Sequence, residues 1–265
     1  MTQTETDRPA DMAPVTRDGA VAVITLNFPA RRNALCLQMR QQLVARLETL
    51  MADTTCRAIV LTGQGGHFCA GGDISEMKQR PLLENRNRWN LTTTMVRTMA
   101  TGPKPIVGAV EGVAVGAGMS LVALCDFSVA AKSAKFAAAF AKVGVLPDGG
   151  ALWSVPRKVG YAKARELFGL ARQFDADEAL RIGLVNQVAE PGAALPVALG
   201  VAHEYAQMPP VAMALLKSVL AEGVDSYAAA LRSEVDFQPV LMATRDHQEA
   251  VAAFLEKRKP QFTGE

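Results

Sequence analysis

Residues 112–127 read GVAVGAGMSLVALCDF. Gly116, Ala117 and Gly118 place three almost side-chain-free residues in a row, and the chain then enters the apolar stretch GMSLVALC at 118–125. That pattern marks a strand-to-helix transition. The first N–H groups of a helix have no intrahelical partner and carry partial positive charge. Small residues let a ligand oxygen approach them closely. Ser120 stands where the small residues stop. A second glycine-rich turn, GQGGHFCAGGDISEM at 63–77, follows the β-branched run RAIVLTG. Two such turns facing each other supply paired N–H donors for one developing negative charge. This is an oxyanion hole, in which losing one donor raises the barrier by ~3–4 kcal/mol. For either cluster alone a tight turn with no ligand is the simpler account. Neither cluster keeps GxGxxG spacing, so a dinucleotide fingerprint is not supported.

Outward from these turns, AVAVITL (20–26), PKPIVGAVEG (103–112) and DFSVAA (126–131) join RAIVLTG as predicted strands. Helical patterns lie between them, notably at 35–53 and 84–100. Strands alternating with helices place the chain in the α/β class with parallel pairing. From Tyr161 the pattern becomes helical: YAKARELFGL, then DADEALRIG with capping-box spacing at Asp175 and Glu178. A short strand is expected at LVNQVA. Three helical stretches follow at 209–223, 226–243 and 245–259. Their apolar faces exceed what they can bury on one another, so packing on the core and on neighbouring subunits is expected. The expected division is a disordered leader over 1–14, a core over 15–192, and a helical region over 193–265 entered through a hinge at 193–207.

The chain of 265 residues is 49% hydrophobic and 20% charged, enough for a large buried core. A net charge of +2 with scattered basic residues does not suggest nucleic acid. Cys36, Cys56, Cys69 and Cys125 have no metal spacing and read as buried free thiols in a reducing compartment. No metal site is expected. The polar N-terminus is not signal-like and no run approaches ~18 apolar residues. A cytoplasmic protein without a membrane span is the expectation.

Five segments, LNFPARRNAL (26–35), GGHFCAGGDISEM (65–77), AVEGVAVGAGMSLVALCDFSVAA (109–131), FAKVGVLPDGG (140–150) and FLEKRKPQF (254–262), occur in an order and spacing that resembles the enoyl-CoA hydratase/isomerase, or crotonase, superfamily. The resemblance runs from about Val21 to Phe262. It implies a spiral of ββα turns with a helical C-terminal trimerisation region, assembled as a homotrimer or homohexamer. It also implies an acyl-CoA thioester substrate whose enolate is held by the N–H groups of Gly72 and Ala117. CoA would enter as part of the substrate, with no separate cofactor. Arg31, Arg32 and Lys257 fall at CoA-contacting positions. Ala34, Ala70, Asp73, Ile74 and Phe140 fall on the substrate- and CoA-binding surface.

Hydratases of this family hold a water between two glutamates. Here those positions are Ser120 and Phe140, and neither side chain activates water unaided. Asp148 remains, at a place where some relatives shuttle protons and others use a nucleophilic aspartate. Flanked by apolar residues and glycines, it suits a raised pKa; a turn or cap role is the competing account. The context PDGGALWSVPR resembles the phenylacetate-pathway branch, and Phe140 and Trp153 would suit an apolar or aromatic acyl pocket or plain core packing. His67, Glu76 and Glu111 lie near the glycine turns without a clear chemical partner. The expected activity is enoyl-CoA isomerisation through Asp148. The alternatives are hydration by a modified route, thioester hydrolysis, dehalogenation, and non-catalytic acyl-CoA binding.

Overall fold

The β-branched runs form strands buried on both faces, as a parallel sheet covered by helices on each side requires. The structure, a computed structural model, describes residues 8–265. In chain order its elements are β1 (Val15–Asp18), β2 (Val21–Leu26), α1 (Leu37–Ala52), β3 (Ala58–Gly63), α2 (Leu82–Thr101), β4 (Ile106–Val110), β5 (Val113–Val115) and α3 (Ala117–Leu124). Next come β6 (Phe127–Ala131), β7 (Lys135–Ala137), α4 (Ala151–Val159), α5 (Tyr161–Leu170), β8 (Gln173–Asp175), α6 (Ala176–Arg181) and β9 (Gln187–Ala189). The chain ends in α7 (Ala194–Ala206), α8 (Pro210–Glu222), α9 (Tyr227–Met242) and α10 (Arg245–Glu256).

A larger sheet has the order β1-β2-β3-β4-β6-β9, parallel except for the β1–β2 pair. A smaller one has the order β5-β7-β8. The opening GVAVG of the quoted stretch is thus itself a strand, and it belongs to the second sheet. Side chains alternate across the large sheet. Ile24, Ile59, Leu61 and Ile106 enter the main core with α1, α2 and α3, while Val23, Val60, Val107 and Val129 face α7. This is the α/β class with parallel pairing that the alternating strands and helices predicted. The Asp175 side chain accepts from Glu178 N at 2.9 Å and caps α6, as its spacing predicted.

Two expectations are corrected. The segment 193–207 is not a hinge but helix α7. Ala194, Ala198 and Ala202, four residues apart, are fully buried against the sheet. Their small side chains let the helix lie close to the strands. Pro196 sits in its first turn, where the missing N–H costs no helical bond. Disorder over 1–14 is corrected for residues 8–14. Met12 and Ala13 are fully buried, Met12 N–H donates to Gln42 Oε1 at 2.6 Å, and Asn27 N–H donates to Met12 O at 2.9 Å. One methionine filling the core beside Cys36 outweighs the polarity around it. Residues 1–7 of the expected leader lie outside the described residues. All four cysteines are free and buried. Among the described residues no helix is long and apolar enough to cross a membrane.

Candidate active site

The two glycine turns meet back to back. Residues 68 and 69 pair with β5: Phe68 N–H donates to Glu111 O, Cys69 N–H to Val113 O, and Val115 N–H to Cys69 O. On the other side Leu35 N–H donates to Gly71 O at 2.7 Å. The glycines are dictated by this closeness. A Cβ on Gly118 would lie 2.2 Å from Cys69 O, and one on Gly71, where φ is +100°, would lie 2.8 Å from Val115 O and 3.6 Å from Ala117 N. Two N–H groups are left over at the meeting point. Gly71, Asp73 and Gly116 donate to Cys69 Sγ, Leu35 O and Ala137 O respectively. Gly72 and Ala117 have no acceptor among the described residues. Ala117 is the first residue of α3, where such an N–H is unclaimed by the helix.

Ser120, fully buried one turn along α3, donates from Oγ to Asp148 O at 2.7 Å. Asp148 lines a cavity of about 470 Å³ with Trp89, Val96, Val145, Leu146 and Leu152. Burial pushes its carboxyl pKa up, and the Arg40 guanidinium partly offsets that. Arg40, on α1, was not anticipated. A Cβ on Gly72 would sit 3.5 Å from its Nη2. Burial lowers its own pKa, and the charge of Asp148 is the main influence restoring it. One charged group therefore lies at the Gly72 turn and acts electrostatically on Asp148. No local motif announces it, because the partners come from three separate segments.

The other expected residues divide clearly. Phe140 is buried beside the turn, with Cε1 4.0 Å from where a Gly116 Cβ would be. Asp73 is structural at its carboxylate, accepting from Ser75 N and Oγ at 3.0 and 2.6 Å to cap the short helix Ile74–Glu76. Ile74 is exposed. Ala70 N–H donates to Arg32 O, and Ala34 is buried in the same loop. Arg31 and Arg32 are held there by Asn33, a buried clamp that accepts from Phe28 N and donates to Gln64 O and His67 O. Lys257 is exposed at the end of α10 in a left-handed conformation and is bonded to neither turn among the described residues.

Glu76 and Glu111 hold the frame together. Glu76 pairs with Arg8 and Arg88 and accepts from Leu37 N at the start of α1. Glu111 accepts from Gly192 N and Ala194 N at the start of α7. His67 packs against Gly112, at the end of β5 away from Ala117. Its Nδ1 is buried without a hydrogen-bond partner among the described residues. Trp153 does not line the Asp148 cavity, which corrects the expectation of an acyl-pocket role. It lies under the Arg157 guanidinium, 4.7 Å from the ring centre, in a separate cavity with Lys158 and Lys217. The helical repeat turns Leu152 toward Asp148 and Trp153 away. The cavity's indole is Trp89, whose spacing with Thr92, Thr93 and Val96 marks one face of α2. Among the described residues no group of three His, Cys, Asp or Glu side chains is placed to hold a metal.

The unclaimed N–H groups of Gly72 and Ala117 lie where the glycine turns meet, and the Asp148 turn rests on α3 one turn along from Ala117. The model for the family described as enoyl-CoA hydratase/isomerase matches residues 16–265. The chain belongs to that family. It is 36% identical over 252 residues to the 1,2-epoxyphenylacetyl-CoA isomerase of Escherichia coli K12, covering 92% of this chain and 95% of that one. It is 34% identical over 251 residues to the 2,3-dehydroadipyl-CoA hydratase of the same organism, covering 94% and 98%. A crystal structure of an enoyl-CoA hydratase from Polaromonas sp. JS666 superimposes with a TM-score of 0.89 at 33% identity, over 94% of this chain and 99% of that one. For this enoyl-CoA hydratase/isomerase family member the fold and the acyl-CoA class follow. The relatives carry both isomerase and hydratase names.

Proposed function

We propose that this crotonase-family acyl-CoA enzyme is an enoyl-CoA isomerase. The observation that carries the reading is the carboxylate inventory. Among the described residues Asp148 is the one carboxylate lining the cavity with Trp89 and Leu152, and its carbonyl accepts from Ser120, one turn along α3 from Ala117, while the positions expected to hold a water in hydratases are Ser120 and Phe140. The thioester oxygen accepts from Gly72 N–H and Ala117 N–H. The Asp148 carboxylate removes a proton from C2 of a 3-enoyl-CoA, and the electron pair moves to the carbonyl oxygen as an enolate. The enolate re-forms the carbonyl, the double bond moves to C2–C3, and the protonated Asp148 returns its proton at C4. No atom is gained or lost. A raised carboxyl pKa matches the two halves of this transfer, because the group must both take and give back a carbon-bound proton.

Trp89, Val96, Leu146 and Leu152 favour an apolar or aryl acyl group, as does the likeness to an epoxyphenylacetyl-CoA isomerase. CoA comes and goes with the substrate on this reading, and Arg31, Arg32 and a neighbouring subunit's Lys257 contact it. The test is turnover of hex-3-enoyl-CoA and of crotonyl-CoA by the wild type and Asp148→Asn, with products identified by mass. The expected result is isomerisation of the first, slowed about 10²–10⁴-fold in the variant, and no hydration of the second. Rapid hydration of crotonyl-CoA by a fully active Asp148→Asn overturns the reading in favour of a hydratase.

A further inference from the structure

Ser120 occupies the place of a catalytic carboxylate, yet its hydroxyl is not available to substrate. It is fully buried, and Oγ donates at 2.7 Å to the backbone carbonyl of Asp148, with Gly116 O at 3.3 Å. The Asp148 carbonyl also accepts from Ala151 N at 3.1 Å, at the first residue of α4. The far end of the turn is held by α4, where Gly150 O accepts from Trp153 N, Ser154 N and Ser154 Oγ, whereas the Asp148 end is tied to α3 through Ser120. Gly149 and Gly150 have φ of +60° and +82°, consecutive left-handed residues reached easily only by glycine. A Cβ on Gly149 would lie 3.2 Å from Ser120 Cβ and 3.9 Å from Ala117 Cβ, so the turn rests directly on the face of α3 that begins with Ala117.

We propose that Ser120 is a positioning residue for Asp148. Its hydroxyl locks the Asp148–Gly149 peptide onto α3, so that the carboxylate and the Ala117 N–H are held in one fixed relation. This rests on the reading of Asp148 as the proton-transferring group. Ser120 bonds through its hydroxyl to backbone and touches no reacting atom.

The experiment is a double-mutant cycle on hex-3-enoyl-CoA isomerisation with Ser120→Ala, Ser120→Cys, Asp148→Asn and Ser120→Ala/Asp148→Asn. Cysteine keeps the side-chain volume and loses most of the donor strength, so it separates the hydrogen bond from packing and carries the test if the alanine variant folds poorly. A displaced reacting group typically loses about ten- to a hundred-fold in rate. The expected result is a fall of that size in kcat for both serine variants with KM unchanged, and no further fall when Ser120→Ala is added to Asp148→Asn. Full kcat in Ser120→Cys, or equal losses in the presence and absence of the Asp148 carboxylate, overturns the proposal while leaving Asp148 in place. An unimpaired Asp148→Asn overturns the earlier reading instead.

Discussion

Arg40 and Asp148 set the electrostatics of the site. Burial raises the Asp148 pKa and the Arg40 charge lowers it, and Arg40 in turn faces Arg88, Glu76 and Cys36. A carboxylate acting as base must be ionised, so activity should rise with pH through its pKa. Replacing Arg40 by glutamine removes the opposing charge and leaves burial unopposed. The acid limb of the kcat/KM profile should then move to higher pH, while Arg40→Lys, which keeps the charge, should hold it near the wild-type position. A limb that stays put in Arg40→Gln would show that the guanidinium does not act on the base. Asp148, Gly72 and Ala117 were candidates through the family resemblance that the local motifs carry. Arg40 and the role of Ser120 were not, because both depend on which remote backbone a side chain meets.

At the scale of elements, the glycines are explained by contact rather than by flexibility alone. Gly118 lies inside α3 with Cys69 O where its Cβ would go, whereas Gly169, exposed in α5, has nothing within 4 Å of that point. The same substitution should therefore have opposite signs. Gly118→Ala should destabilise by about 1–3 kcal/mol through overpacking and lower activity by parting the two turns. Gly169→Ala should stabilise by about 0.4–1 kcal/mol by restricting the unfolded chain. Urea unfolding of both variants checks this, and a neutral Gly118→Ala would sink the close-contact account. Strand and helix placement was largely legible, since hydrophobic period carries it. Helix α7 was missed because Pro196 and Gly200 look like breakers, and its alanine face gains meaning only against the valines it covers.

For the whole molecule, the apolar surface left over on the helical region points to self-association. Val235, Met242, Phe254 and Leu255 are 72%, 60%, 83% and 75% exposed, on helices α9 and α10. An interaction face there is the expectation. Light scattering should give a trimer or hexamer, and Val235→Glu with Phe254→Glu should shift it toward monomer. A wild-type monomer at micromolar concentration would refute the expectation. Within one protomer, α8 is tied to the sheet end by Lys217, whose Nζ donates to Asp126 Oδ2 at 2.6 Å and to Lys104 O at 2.9 Å. That bond holds the helical region against the core across a long stretch of chain.

Local chemistry was enough to give the α/β class and the two glycine-rich turns, because residue periodicity and small-residue spacing are properties of consecutive positions, while the missing glutamate pair was legible only through the family resemblance. The tertiary structure alone decided that Ser120 bonds to the Asp148 carbonyl, that the Arg40 charge acts on Asp148, and that Trp89 rather than Trp153 walls the cavity. Each of these joins segments tens of residues apart, and the distances that define them come into being only when α1, α2, α3 and the Asp148 turn pack together.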